Sequence, residues 1–255
     1  MILAVDVGNT NVVLGLVSGR DVRLRWRIAS VADRTADEHA ILLRQLLAQA
    51  GVRDGDVQGS VVCSVVPALT ASFLTALEAL LGVQPVVVGP DADLGIAIDY
   101  RDPREVGPDR LANAVGVLDL VDGAAIVVDF GTATTFDVVS ADRRYLGGAI
   151  APGLLTSAES LVRKAALLRG VALEPPGAAI GRSTEESLRA GVLFGAAGQV
   201  DEIVRRIVEE WGVSPTVVAT GGLAERIAPL TSVIDLVEPD LTLRGLALIY
   251  ERVKG

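Results

Sequence analysis

Two aspartates at the ends of apolar runs are the first residues here whose surroundings ask for chemistry. AVDVGNTNVVLG, residues 4–15, runs an apolar strand into Asp6, turns through Gly8, Asn9 and Thr10, and resumes as an apolar strand. AAIVVDFGTATTFDVV does the same at Asp129, Gly131 and Thr132. A carboxylate at the end of a core strand is costly if buried unpaired and sensible if it faces a cation. The adjoining turns can offer N–H and hydroxyl donors to phosphate oxygens, and glycine lets the backbone come close without a Cβ in the way. A single Asp-x-Gly is also what an ordinary hairpin turn looks like. Two copies at corresponding places predict more: one carboxylate on each side of a cleft, holding metal beside a phosphate chain.

The segment DYRDPREVGPDRLANAVG, residues 99–116, is polar, carries two prolines and runs into a helix at Asp109-Arg110. Asp109 has two readings, a helix N-cap or an acceptor for a hydroxyl proton. Arg110 could grip a carboxylate, and Tyr100 lies close enough in sequence to complete an organic-acid site. Thr220-Gly221-Gly222 follows a strand and precedes a helix. It could seat a flat ring or ribose at the positive end of the helix dipole, or be a plain glycine turn.

Other residues carry less. His39 is the only histidine, so neither a histidine triad nor a zinc cluster can be built on it; a solvated or half-buried helix position is expected. Cys63, the only cysteine, cannot form an intrachain disulfide and reads as a small buried residue of VVCSVV in a reducing cytoplasm. Gly191 and Gly195, in AGVLFGAAG, share one helix face and predict close packing, within the chain or across a dimer.

Composition narrows the class. Half of the 255 residues are apolar, few are aromatic, and the formal charge is −9. That balance argues against a nucleic-acid or anionic-membrane binder, and it makes any phosphate ligand depend on cations. Lysine occurs only at 164 and 254, neither in a glycine-rich loop, which excludes a P-loop. No apolar run approaches the ~20 residues of a membrane span, and no basic n-region precedes an apolar stretch at the start.

The elements that must position these groups follow from periodicity. Residues 2–7, 11–17 and 22–29 read as strands, the last alternating Val22, Leu24, Trp26 and Ile28 with three arginines. A helix opened by Thr35 and Glu38 in capping-box spacing follows. Then come the strand VVCSVV, a helix over 67–81, the strand PVVVG, a loop, and the helix near Asp109. From residue 124 the pattern restarts: three strands, helices near 153–168 and 184–211, a strand at TVVAT, a short helix, a strand near VIDLV and a final helix. LEPPGAAIG, 173–181, is the one obvious loop stretch. VVCSVVP and VVATGGL occupy matching places, so the chain reads as two copies of one β-β-β-α-β-α-β-α unit, two similar domains with a cleft between them.

DVGNTN, DFGTATTFD and ATGG together resemble the superfamily of acetate and sugar kinases, heat-shock chaperones and actin. The finer resemblance is to type III pantothenate kinases, carried across the whole chain by DVGNTNVVLG, Tyr100 with GPDR, DFGTATTFD, YLGGAIAPG with Ser157, and GRSTEESLRAG. Ser183 stands where asparagine is expected before Thr184, and Asp102 where asparagine is common before proline.

The resemblance implies an α/β fold of two similar ribonuclease-H-like or actin-like ATPase domains, 1–117 and 118–255, each a mixed sheet flanked by helices with the active-site cleft between. It implies ATP-dependent phosphorylation of pantothenate. Asp6, Val7, Gly8, Asn9, Thr10, Asn11, Val12 and Val13 would hold ATP phosphates with help from Thr132. Tyr100, Gly107, Pro108, Asp109, Arg110 and Thr184 would line the pantothenate pocket. Asp109 would accept the proton, and Asp129 would bind a monovalent cation, potassium or ammonium. Asp6 would hold Mg²⁺ indirectly, an inference from the wider superfamily. A cytoplasmic homodimer with neither nucleic-acid nor membrane partner completes the expectation. Its rivals are a kinase for a sugar or a small carboxylate, against which GPDR argues, and a non-catalytic accessory factor in gene regulation, against which Asp6, Asp109 and Asp129 argue. An actin- or chaperone-like interaction protein would need insertions for which the chain has no room.

Overall fold

A computed structural model describes residues 1–53, 55–164 and 174–255. The chain divides into two compact units: residues 1–120 with 143–145 and 240–255, and residues 121–142 with 146–239.

The first unit is built on β1 (Ile2–Val7), β2 (Asn11–Ser18), β3 (Asp21–Ala29), α1 (Ala36–Gln49), β4 (Gly59–Ser64), α2 (Pro67–Leu81) and β5 (Val86–Val87), in the sheet order β3-β2-β1-β4-β5. β1 runs antiparallel to β2 and parallel to β4, with Asp6 opposite both Val13 and Cys63. The capping box forms as the sequence predicts: the Glu38 N–H donates to the Thr35 hydroxyl, and the Glu38 carboxylate accepts from the Thr35 N–H. Leu3, Val5, Leu14, Leu43, Phe73 and Leu77 close the core between this sheet and α1 and α2. Two details differ from the sequence reading. Leu24 of β3 is exposed although its alternation placed it inward. His39 is buried, not solvated or half-buried, with its ring 3.9 Å from that of Phe73. The α1–α2 packing covers it, and burial, with Arg34 nearby, lowers its pKa.

The unit continues through the two-residue strand β6 (Ala97–Ile98), a 3-10 turn at Pro103–Glu105 and α3 (Pro108–Leu120), and is completed from the far end of the sequence by the last helix. The second unit contains β7 (Ala125–Phe130), β8 (Ala133–Ser140), β9 (Arg144–Pro152), α4 (Leu154–Lys164), α5 (Thr184–Trp211), β10 (Thr216–Thr220), α6 (Ala224–Ile227) and β11 (Leu236–Val237). Its sheet runs β11-β10-β7-β8-β9, the first unit's order repeated, and β10 pairs in parallel with β7 as β4 does with β1. Two helices, α4 and α5, stand where the first unit has only α1. The expected helix near 153–168 runs to Lys164, its remainder lying outside the described residues, as does the first residue of the 173–181 loop.

The last helix, α7 (Leu241–Lys254), positions α3. A Cβ on Gly245 would lie 1.8 Å from the Ala112 carbonyl oxygen, and one on Gly116 would lie 2.6 Å from that of Leu241. Glycine on both helices therefore lets the two backbones touch. The Thr242 hydroxyl donates to Asn113 Oδ1 at 2.7 Å inside that contact, and residues 110–117 of α3 are all buried. The first turn of α3, which carries Asp109 and Arg110, is thereby held on a rigid support. Among the described residues, no helix is long and apolar enough to cross a membrane.

Candidate active site

In the first unit, the turn after β1 closes over Gly8–Asn11, with the Gly8 N–H donating to the Asn11 carbonyl at 3.0 Å. A Cβ on Gly8 would lie 2.9 Å from that same oxygen, so the turn needs glycine there. Ser30, just past β3, braces it from outside: its hydroxyl donates to the Gly8 carbonyl at 2.6 Å and its N–H to that of Thr10 at 3.0 Å. Asn9, Thr10 and Asn11 are left exposed, while Val7 and Val12 are buried in the core and Asp6 and Val13 are half-buried. Of residues 6–13, then, the turn and Asp6 can meet a ligand, and the valines hold the turn in place.

Cys63 lies beside Asp6 on β4, fully buried, its thiol donating to Asp6 Oδ1 at 3.3 Å. Burial first, then the charges of Asp6 and Asp109, push the thiol pKa well up. It is a neutral donor, not a nucleophile. Sequence gave it only the role of a small buried residue. The parallel register that sets it against Asp6 was the missing fact.

Asp109 is not the N-cap of α3. Pro108 opens the helix, a favoured place for proline, and the Gly107 carbonyl accepts the first intrahelical bond from the Leu111 N–H at 3.1 Å. The Asp109 side chain folds back over Gly107, where a Cβ would lie 2.4 Å from its Oδ1, and that oxygen accepts from the Arg110 N–H at 2.9 Å. Burial raises the Asp109 carboxyl above its ordinary range, opposed by the Arg110 N–H and the Arg110 guanidinium. A carboxylate so desolvated is a stronger base than one in water.

Arg110 is itself buried, its guanidinium carbon 5.8 Å from the ring centroid of Tyr145, and half-buried Tyr100 stands 6.3 Å from Tyr145 ring to ring. Asp102 accepts from the Arg104 N–H at 3.1 Å and starts the 3-10 turn. Asparagine would do the same, so that departure from the family pattern changes little.

In the second unit, half-buried Asp129 is the penultimate residue of β7, and the Gly131 N–H donates to the Ala133 carbonyl at 3.0 Å. The strands rejoin at Phe130↔Thr134, leaving a turn one residue shorter than that closed by Val7↔Val12. Thr132 is exposed. Its carbonyl accepts from the Thr156 hydroxyl at 2.8 Å, and a Cβ on Gly153 would lie 2.3 Å from the same oxygen. Gly221 has φ +90°, and a Cβ there would lie 2.4 Å from Asp129 Oδ1. The ATGG turn thus presses bare backbone against the carboxylate. Gly153, Thr156 and Gly221 were not assigned to Asp129 or Thr132 from sequence, because only the β7–β10 register and the turn into α4 bring them there.

Thr184 is the exposed first residue of α5, whose N-cap, Ser183, accepts from the Glu186 N–H at 3.2 Å. Serine caps about as well as asparagine, so the other departure also preserves the local structure. Further along α5, Gly191 and Gly195 border a cavity of about 400 Å³ with Leu154, Ser157 and Leu161 of α4.

Residues 2–206 match the family model of type III pantothenate kinase. A type III pantothenate kinase from Moorella thermoacetica is 48% identical over 252 residues, covering 99% of this chain and 99% of its own. Another, from Bacillus cytotoxicus, is 44% identical over 252 residues, covering 99% and 96%. Among solved structures, the activator of the 2-hydroxyisocaproyl-CoA dehydratase from Clostridium difficile, with bound ADPNP, superposes with a TM-score of 0.58 at 13% identity, covering 99% of this chain and 95% of that one. ROK hexokinase from Thermus thermophilus gives 0.54 at 18% identity, covering 99% of each. At those identities the structural likeness speaks to the fold, that of actin-like ATPases and sugar kinases.

Proposed function

The chain belongs to the type III pantothenate kinases and phosphorylates pantothenate with ATP, a step of coenzyme A biosynthesis; from that premise we propose how its own side chains divide the work. Phosphoryl transfer asks little covalent chemistry of a protein and much alignment and charge neutralisation. Residues 6–13 bind the ATP phosphates through the Gly8–Asn11 turn, and Thr132 contributes a further donor. Arg110 grips the pantothenate carboxylate, with Tyr100, Gly107 and Pro108 lining the same pocket, and Thr184, at the start of α5, is a further candidate contact for the substrate. Asp109 takes the proton of the substrate hydroxyl as its oxygen bonds to the γ-phosphorus, and the bond from that phosphorus to the bridging oxygen of ADP breaks. The products are ADP and 4′-phosphopantothenate.

Two cations fit the residues present. The half-buried Asp129 carboxylate, at the phosphate-side turn of the second unit, would hold a monovalent cation, potassium or ammonium, with the bare backbone of Gly221 packed against its Oδ1. Asp6, an oxygen ligand at a strand end beside the phosphate turn, suits a Mg²⁺ that arrives with the nucleotide and keeps several waters. These ions supply the positive charge that a protein of formal charge −9 lacks. A homodimer rests on the family resemblance and on the small residues Gly191 and Gly195 on one face of α5, and the single buried Cys63 fits a cytoplasmic setting.

The observation that carries the residue assignment is Asp109: a carboxylate raised by burial, seated over Gly107 beside a buried arginine. A coupled ADP-release assay tests it. ADP should form with pantothenate and not with a panel of sugars and small carboxylates, and faster in potassium than in sodium. Release with a sugar in place of pantothenate would overturn the assignment.

A further inference from the structure

The segment 143–145 belongs to the first unit although the chain around it belongs to the second. What it does there is visible in its contacts. The Ala97 N–H donates to the Arg143 carbonyl at 2.9 Å, and the Asp99 N–H donates to that of Tyr145 at 2.8 Å. Arg143 Nε donates to the Gly95 carbonyl at 2.8 Å, and Arg144 Nε and Nη2 both donate to Asp99 Oδ2, at 3.0 and 2.7 Å. Arg143 has φ +63°, among the described residues the only non-glycine with a positive φ. A residue in that region persists only where its surroundings over-determine it. All these bonds fix one thing, the segment from Gly95 through β6 to Asp99, beside Tyr100.

Tyr145 is the residue so delivered. It is fully buried, one of the largest side chains with no exposure. Arg110 is also buried, and its guanidinium carbon lies within the ~6 Å at which a cation is held by an aromatic ring. With both groups out of water, that attraction is at the strong end of its range. The ring of Tyr100 leans on the same Tyr145 ring. Tyr145, the first residue of YLGGAIAPG, thus reaches two of the residues assigned to pantothenate although the sequence gives it no role there.

We infer that Tyr145 is a positioning residue for pantothenate recognition, its ring holding the Arg110 guanidinium where it meets the substrate carboxylate. The inference rests on the reading of Arg110 given above. Tyr145 has no part in binding ATP or in moving the proton, so its effect falls on the affinity for pantothenate alone.

The test keeps the shape of the ring and changes its charge. Tyr145→Phe is the reference from which the series is read, since it keeps the ring and removes only the hydroxyl. Replacing that phenylalanine by its di-, tri- and pentafluoro analogues through suppressor incorporation drains the ring face of negative charge with little change in packing. The KM for pantothenate should rise stepwise, about tenfold in all, with kcat, the KM for ATP and the melting temperature nearly constant. On an Arg110→Gln background the same series should be flat, because the partner is gone. A flat series on the otherwise wild-type background, or a parallel rise in the KM for ATP, would overturn the inference. Arg110→Gln alone separates the two claims. If it leaves the KM for pantothenate unchanged, the reading of Arg110 fails. If it raises that KM while the fluorinated series stays flat, only the role of Tyr145 fails.

Discussion

Replacing Asp109 with asparagine separates chemistry from scaffolding, because the structure says how little scaffolding is at stake. Asparagine keeps an Oδ1 able to accept from the Arg110 N–H, the 2.9 Å bond that seats the side chain over Gly107. Retaining it preserves about 1 kcal/mol of net hydrogen bonding. What is lost is a partly desolvated charge and its attraction to Arg110, two effects of opposite sign. The raised carboxyl contributes stability below the ordinary value of 3.8, and that contribution is lost as pH rises through the folded value. At neutral pH, then, Asp109→Asn should melt within a few degrees of wild type, or slightly above it, since ~1 kcal/mol moves a domain of this size by ~2–4 °C.

Turnover should behave differently. Removing a general base costs ~10²–10⁴ in rate, and the loss should fall toward the lower figure because a loose transition state puts little early charge on the attacking oxygen. The wild-type profile of kcat/KM should show an acid limb above the ordinary carboxylate value of 3.8, and the mutant should lack it. The assays are turnover at saturating ATP and pantothenate from pH 4 to 8, and thermal melting at the same pH values. A stable mutant that turns over within about threefold of wild type, a difference of only ~0.7 kcal/mol in barrier, would refute the assignment of Asp109 as base.

Asp129→Ala should abolish activation by potassium and raise the KM for ATP far more than that for pantothenate; equal wild-type activity in sodium-only and potassium buffers would contradict the cation site. Gly153→Ala puts a methyl 2.3 Å from the Thr132 carbonyl oxygen, so it should raise the KM for ATP about tenfold or more through the displaced turn, and an unchanged value would remove Thr132 from phosphate binding. Gly191 has nothing within 4 Å of its would-be Cβ, so Gly191→Leu should leave the protomer folded, even gaining ~0.5–1 kcal/mol of helix propensity, while sedimentation shows dimers falling apart and activity lost; a fully active wild-type monomer at assay concentration would end that reading.

What could be read in the sequence was what is local. The capping box at Thr35 and Glu38, the helix at 67–81 and the alternating strands sit where spacing put them, because each depends on neighbours a few residues away. The repeated Asp-x-Gly marked where one strand-and-helix pattern restarts, and the second sheet repeats the strand order of the first. His39 escaped because one polar residue in a helix carries no sign of the Phe73 ring that covers it. The two-residue strand Ala97–Ile98 escaped because its partner lies at 144–145, too short and too distant to leave a periodic signal.

The glycines of ATGG show how a motif can be recognised and its physical duty still missed. Read locally, Thr220-Gly221-Gly222 makes room for a flat ligand or turns the chain into a helix. The parallel register sets Thr220 opposite Asp129, and the next residue then meets the end of β7. With φ +90°, and with the Asp129 carboxylate and Phe130 N within 2.4 and 2.7 Å of its would-be Cβ, Gly221 can be nothing larger. An alanine there would push on the carboxylate and the turn together. The glycine is therefore required by the approach of two backbones at the end of the sheet, where its bare backbone packs against the Asp129 carboxylate. That coupling belongs to the pairing of β7 with β10, and no reading of either strand alone contains it.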